Sequence, residues 1–289
     1  MSADFIVPIS PAEQAAGVVS RETATAGYKA LYETGVVLLR GVFPAAQIAA
    51  LHREFLARFG ASDLAALEAQ AKNPPPNPVL PVGGARFELA MRLNGAFGQP
   101  ALLANPVLLS FLGPLLGKTM RLSGCTAVAA FPGADLQHVH RDYPHLFNEY
   151  PDIGPRLPVY AVNVSVPLLD VDMQMGPTGF WPGSHRLTDD VPADPAAMVS
   201  APFRRGDCFL IDFRTRHAGM PNRATQMRPI FYMAYARDWF FDAYNNAARL
   251  PLDITLDELN ALPPAVHPLF ERAFAQSYRA ELVNKRETA

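Results

Sequence analysis

From Thr119 onward the chain consists of short apolar runs separated by glycine and proline, and this punctuation constrains the fold more than any other feature. Val159–Leu168 alternates, placing Tyr160, Val162, Val164 and Val166 on one face and Ala161, Asn163 and Ser165 on the other. Cys208–Thr215 and Pro229–Ala236 read as two further strands. Several short strands at this spacing predict an all-β sandwich or barrel core over about residues 119–236.

The preceding part, about 1–118, reads as mainly helical. Thr25–Thr34 is a short helix closed by Gly35, which takes a left-handed cap at little cost, and Val36–Leu39 follows as a buried strand. Pro44–Phe59 is a stronger helix, with proline in its first turn, apolar residues at Ile48, Leu51, Phe55 and Phe59, and Gly60 at its end. Ser62 caps another from Asp63 to about Lys72, stopped by the proline cluster Asn73–Pro78. Asn105-Pro106 opens a helix through Leu116, with a bend expected at Gly113-Pro114. The tail, about 237–289, returns to helix, Val266–Val283 being its longest candidate. No repeat or linker divides the sequence, so residues 1–289 read as a single domain of helices packed on a β core.

At 289 residues the chain is long enough for a full core, since barrels and sandwiches of roughly 200–250 residues fold as one domain. A net charge of -2 gives no electrostatic attraction to nucleic acid or anionic membranes. Cys125 and Cys208 are the only cysteines, which excludes a disulfide framework or a cysteine zinc site and leaves at most one bridge. No run of about 18 apolar residues occurs, and no basic segment leads into an apolar one at the N-terminus. A soluble, cytoplasmic protein is expected, with neither membrane nor nucleic acid as partner; the sequence does not specify an oligomeric state.

The chemistry concentrates in His140-Arg141-Asp142 and in His217, 75 positions after Asp142. Two imidazoles and a carboxylate in this order match the ligand set of a mononuclear non-haem Fe(II) site, which leaves the opposite positions open. On a strand His140 and Asp142 project to the same side, and His138 would share it. His217 ends the run from Cys208, with Phe209, Ile211, Phe213 and Thr215 on its face and Asp212, Arg214 and Arg216 opposite, so it is expected to point to the apolar side. The turn residues Gly219–Asn222 let the chain return antiparallel and bring Arg228 to the same cavity. There its guanidinium can grip a carboxylate with two hydrogen bonds, as a dicarboxylate co-substrate would require.

Three blocks carry a family resemblance. Phe131–Asp142, with Gln137-His138-Val139-His140-Arg141-Asp142 after a proline-glycine turn, resembles the Gln-x-x-His-x-Asp segment of the phytanoyl-CoA dioxygenase family. Met175–His185 is similar to that family's Gly-Pro…Pro-Gly-Ser-His segment, and His217–Arg228 to its closing His-x-Gly-x-x-Asn…Arg block. The resemblance runs in order from about Thr119 to Ala236. It implies a mainly β fold with flanking α: a double-stranded β-helix (jelly-roll, cupin-like) core packed with N- and C-terminal helices. It also implies Fe(II) held by His140, Asp142 and His217, with 2-oxoglutarate and O2 as co-substrates. Arg228 would bind the distal carboxylate of 2-oxoglutarate, with Gln137, Thr178 and Arg92 as further contacts. His138 and His185 would then be supporting residues, and Pro182-Gly183-Ser184 a turn. Retention of Asp142, which related halogenases replace with a small residue, favours hydroxylation or a desaturating or ring-forming variant of it.

Two other readings compete. His138-Val139-His140-Arg141-Asp142 also fits the His-x-His-x-Asp start of metallo-β-lactamase-like zinc hydrolases, although Tyr143 stands where a histidine is expected and the chain opens with helices. A non-catalytic cupin-like binding protein would explain the β core but not the ligand trio with Arg228. The substrate is expected to be a small or medium organic molecule, such as a biosynthetic intermediate, against an aromatic wall drawn from Tyr143, Phe147, Phe180, Trp181 and Tyr232. With four lysines and no basic cluster, a site for coenzyme A phosphates is not indicated.

Overall fold

The computed structural model describes residues 4–60, 63–73, 78–147, 149–188, 190–242, 245, 252–271 and 273. Its strands are β1 (Ile6–Pro8), β2 (Val36–Arg40), β3 (Val79–Gly83), β4 (Arg86–Ala90), β5 (Arg121–Ala130), β6 (Ala161–Pro167), β7 (Thr178–Phe180), β8 (Cys208–Asp212), β9 (His217–Gly219) and β10 (Arg228–Ala236). Eight of them form one sheet in the order β1-β2-β8-β6-β10-β5-β4-β3, antiparallel throughout except at β1–β2, while β7 and β9 form a second, two-stranded sheet. A cavity is lined from both sheets. A large sheet facing a small one, with helices outside, is a double-stranded β-helix, as expected.

Alternation divides the large sheet into two unlike faces. Phe231, Met233 and Tyr235 of β10 stand in register with Val166, Val164 and Val162 of β6, and all six are buried. They share one core with the apolar stripe Ile48, Leu51 and Phe55 of a helix at Ala45–Phe59, and with Leu108, Phe111 and Leu112 of another at Pro106–Leu116. Burying one such side chain contributes roughly 1.5–3 kcal/mol. The opposite face carries Arg228, Tyr232 and Ala234 of β10 and Asn163 of β6, and lines the cavity. Cys125 and Cys208 lie in β5 and β8, with two strands between them, and are buried and free.

Local rules explain the helices. The helix Arg21–Thr34 is capped by the Ser20 side chain and ends at Gly35 in the left-handed region, φ 85. Its internal Gly27 accommodates Phe111: a Cβ there would meet that ring at 2.5 Å. Asp63, not Ser62, caps Leu64–Gln70; Ser62 lies outside the described residues, as do residues 74–77 of the proline cluster. Asn105 caps Pro106–Leu116, which remains a single helical span with Pro114 inside it.

Three expectations are corrected. The first third contains strands β1, β3 and β4 besides helix. The β3–β4 hairpin escapes a hydrophobic reading because Arg86 and Glu88, which line the cavity, alternate with the buried Phe87 and Leu89. The strand from Cys208 stops at Asp212, where a buried ion pair with Arg214 (2.6 Å) forms a turn. Of the tail helix Val266–Val283 the described part is a short 3-10 turn, His267–Phe270; residues 274–283 lie outside the described residues. Among the described residues no helix is long and apolar enough to cross a membrane.

Gly35 joins these layers. Its carbonyl accepts from Asp212 N–H (2.9 Å) and from Thr215 Oγ1 (2.9 Å), fixing the turn that precedes His217. A Cβ at Gly35 would lie 2.2 Å from Thr215 Oγ1 and 2.7 Å from His185 Nδ1. Gly35→Ala is expected to cost roughly 2–4 kcal/mol through backbone strain and overpacking, measured as a lower urea midpoint with unchanged slope.

Candidate metal centre

Two main-chain hydrogen bonds bring the candidate ligands together. His140 N–H donates to His217 O (3.1 Å) and His217 N–H donates to His140 O (2.9 Å), forming an isolated antiparallel bridge. Residues 138–142 are therefore not the regular strand their alternation suggests. Gln137 N–H donates instead to Gly219 O (3.0 Å) and Asp142 N–H to Phe213 O (3.0 Å), which fastens the segment along β9 and the turn before it. His217 likewise begins β9 rather than ending β8, because the Asp212–Arg214 turn intervenes.

The side chains converge from this backbone. The two imidazole rings are 4.4 Å apart. His140 Nδ1 donates to His138 O (2.9 Å) and His217 Nδ1 to Thr215 O (3.0 Å), so each ring keeps its Nε2 lone pair for a ligand. Asp142 Oδ1 lies 3.5 Å from His217 Nε2, and Asp142 Oδ2 accepts from Asn163 Nδ2 (3.2 Å). One donor atom from each of His140, Asp142 and His217 lies within 4.8 Å of the others, the one such group among the described residues. Burial, and then His217, hold the His140 pKa down to about 4, so its ring is neutral at pH 7, the form that ligates a metal.

These donors open onto a cavity of about 310 Å³. In its lining Arg86 of β4 and Arg228 of β10 stand opposite Ala130 of the intervening β5, so both guanidiniums leave the same face of the sheet. They are 0% and 1% exposed, and neither forms an ion pair among the described residues. Arg86 Nη2 donates to the carbonyls of Asp135 (2.9 Å), Gly219 (3.3 Å) and Met220 (3.0 Å), while its Nε and Nη1 have no partner. Arg228 Nη1 reaches Met175 O at 3.5 Å, and its Nε has no partner. Burial, then the adjacent Arg86, push Arg228 down to about 10, which leaves it charged at pH 7. Two buried cations with unused donors form a receptor for an anion, beside the Glu88 carboxylate that lines the same cavity.

Gln137 and Thr178 line the same cavity. Gln137 Oε1 accepts from Gly219 N–H (3.0 Å), and the Thr178 side chain hydrogen-bonds Tyr232. Arg92 does not reach it: its guanidinium pairs with Asp253 (2.8 Å) and Glu258 (3.1 Å) near the helix Leu256–Asn260. Arg86, six residues earlier, lines the cavity instead. The signal for it was the alternation of β4, and Gly219 supports it, since a Cβ there would sit 2.2 Å from Arg86 Nη1. Of the expected aromatic wall only Tyr232 lines the cavity, joined by Phe213. Phe180 packs in the core against Phe5, Trp181 is buried and donates to Asp194 O (2.6 Å), Tyr143 packs on Phe240, and Phe147 is exposed. His185 faces Tyr32 O (3.2 Å), away from the cavity, and Ser184 Oγ accepts from Arg216 N–H (2.9 Å) within the expected turn.

A family model described as phytanoyl-CoA dioxygenase (PhyH) matches residues 31–230. The chain belongs to this family. Among characterised relatives it is 32% identical over 158 residues to the dioxygenase af480 of Aspergillus fumigatus, covering 53% of this chain and 49% of the relative. It is 29% identical over 110 residues to the dioxygenase FUM3 of Gibberella moniliformis, covering 37% and 35% respectively. The matched stretch thus spans half or less of those relatives. Its fold is shared with SnoN, the non-haem alpha-ketoglutarate-dependent epimerase of nogalamycin biosynthesis (TM-score 0.51, 22% identity, 79% of this chain and 84% of that one). It is shared too with HygX from Streptomyces hygroscopicus, solved with nickel and 2-oxoglutarate (TM-score 0.56, 16% identity, 78% and 90%).

The convergence of His140, but not His138, on the donor cluster gives a direct test. His140→Ala is expected to abolish divalent-metal binding, measured by Co(II) titration of the metal-free protein, whereas His138→Ala retains it. Retention in His140→Ala together with loss in His138→Ala would reassign the ligands.

Proposed function

We propose that this chain is a single-domain Fe(II)- and 2-oxoglutarate-dependent dioxygenase that hydroxylates an unactivated C–H bond of a small organic or natural-product substrate. The observation that carries this reading is one cavity lined by both the His140–Asp142–His217 donors and the buried Arg86–Arg228 pair. Family membership and the bound groups of the fold relatives, Fe3+ with alpha ketoglutarate in SnoN and nickel with 2-oxoglutarate in HygX, support it.

The residues fit the groups this activity needs. Two imidazoles whose Nδ1 atoms are held by backbone carbonyls, together with one carboxylate, suit Fe(II) and leave its remaining positions open. The unpartnered donors of Arg86 and Arg228 suit the distal carboxylate of 2-oxoglutarate, Arg228 being its assigned partner, while the keto acid would face the metal donors. Tyr232, Thr178 and Gln137 border the same space. When bound, iron with O2 supplies the oxidising power, 2-oxoglutarate leaving as succinate and carbon dioxide. The chain's own contribution is to orient its partners and exclude water. Backbone carbonyls lock both imidazole tautomers, Asn163 fixes Asp142, and the two sheets wall off the inner end of the cavity.

A dinuclear zinc hydrolase would need His138 in a second donor group, and none forms among the described residues. A purely binding role leaves the tautomer-locked donors without purpose. Product mass separates the oxidative outcomes: hydroxylation adds one oxygen, desaturation or ring closure removes two hydrogens, and epimerisation changes nothing.

Substrate-dependent succinate release across a panel of small organic compounds tests the activity, and failure of the Fe(II)-loaded protein to consume 2-oxoglutarate with any of them would count against it. Arg228→Ala is expected to weaken 2-oxoglutarate binding by about thirtyfold to several thousandfold, roughly 2–5 kcal/mol, with metal binding retained. Arg86→Ala should weaken it as well, while Arg92→Ala leaves it unchanged. An unaltered Michaelis constant for 2-oxoglutarate in folded Arg228→Ala would remove that residue from the site.

A further inference from the structure

Asp142 has two carboxylate oxygens, and the structure gives them different neighbours. Oδ1 faces His217 Nε2 at 3.5 Å, inside the donor cluster, whereas Oδ2 accepts from Asn163 Nδ2 at 3.2 Å. Asn163 sits in the middle of β6, between Ala234 of β10 and Ile211 of β8, so its backbone is fixed by strands on both sides. Its side chain projects from the cavity face, not the helix-packed face of Val162 and Val164. The same side chain leaves its Oδ1 buried without a partner. An orphaned acceptor costs about 1–3 kcal/mol, so the orientation is held by what the other end of the amide does. Turning the amide over would set its oxygen against the Asp142 carboxylate, whereas the observed orientation gives that carboxylate a charge-assisted donor.

We propose that Asn163 is a positioning residue that keeps Asp142 a one-oxygen ligand, by occupying Oδ2 so that only Oδ1 faces the metal. This rests on the metal-centre reading above. A carboxylate with both oxygens unrestrained can turn both to a metal and take a position that the co-substrate needs. The Asn163 donor prevents this from a rigid strand while leaving Asp142 its charge. Asn163 touches neither His140 nor His217 among the described hydrogen bonds, and its action on the site runs through Asp142. Ser165, two residues along β6 on the same face, is also buried with an unpartnered hydroxyl but makes no bond to Asp142. It is the matched control.

The test is Co(II) titration of the metal-free full chain, read by the visible spectrum and then by addition of 2-oxoglutarate. Asn163→Leu keeps the side-chain shape without the donor; Asn163→Ala removes both and serves if the leucine variant does not fold. Either variant, with a melting temperature close to that of the parent, is expected to bind Co(II) 10–100-fold more weakly, the usual effect of losing a ligand's outer partner. Its Co(II) spectrum should change, and its affinity for 2-oxoglutarate should fall although Arg86 and Arg228 are intact. Ser165→Ala should match the parent in all three. Parental Co(II) affinity and spectrum in a folded Asn163 variant would overturn the proposal while leaving the metal centre standing, as would an equal loss in Ser165→Ala. Absence of Co(II) binding by the parent would overturn the metal-centre reading itself, and this inference with it.

Discussion

Two hydrogen bonds between the main chains of His140 and His217 set the spacing of the donor cluster, and much of the surrounding structure keeps those two segments side by side. On one side the buried Asp212–Arg214 pair ends β8 and turns the chain so that β9 begins at His217. Arg214 also donates to Leu157 O (2.6 Å), which ties that turn to the segment before β6. On the other side Arg141, between the two candidate ligands, donates to Ser184 O (2.9 Å) and Leu187 O (2.8 Å). The Pro182-Gly183-Ser184 turn thus acts at a distance from the chemistry, as the brace for the backbone that carries it. Ligands held by main-chain pairing and braced from behind keep their geometry better than ligands on a free loop.

The two faces of the large sheet answer to different demands. Apolar residues on the helix side supply cohesion. The cavity side gives up some of that cohesion to hold Arg86, Arg228 and Asn163, with buried polar atoms left unpaired. Buried charges without counter-ions are costly, and a fold retains them where a ligand completes them. The buried cations and the donor cluster line one cavity, and under the proposed function a single molecule touches both.

Much of this was legible in the residues. The alternation of Val159–Leu168 separated a helix-packed face from a cavity face, placing Asn163 correctly before any role for it was apparent. The order His140, Asp142, His217, Arg228 named four residues that meet at one cavity, and Gly35 closed its helix in the left-handed region as its position required. What was not legible depended on partners distant in sequence. Arg86 and Arg92 are alike as residues; the register of β4 against β5 alone sends the first into the cavity, while Asp253 and Glu258 hold the second outside. The apparent continuity of Cys208–His217 concealed a turn because Asp212 and Arg214, read as an outward polar face, pair with each other in the interior. Tyr160 followed the valine alternation in sequence but packs in a separate small cluster with Phe213 and Phe240.

The lateral row Arg86–Ala130–Arg228 has a consequence for folding. Its two cations come from strands far apart in the chain and meet only after β4 and β10 have both paired with β5 in the correct register. In the unliganded molecule their mutual repulsion weighs against that closure. A carboxylate held by both would bind the finished sheet and not the open chain, shifting the equilibrium toward the native form in proportion to the logarithm of its concentration. An anion site built in this way would double as a check on strand register, and under the proposed function the supply of a small metabolite becomes a term in the protein's own stability.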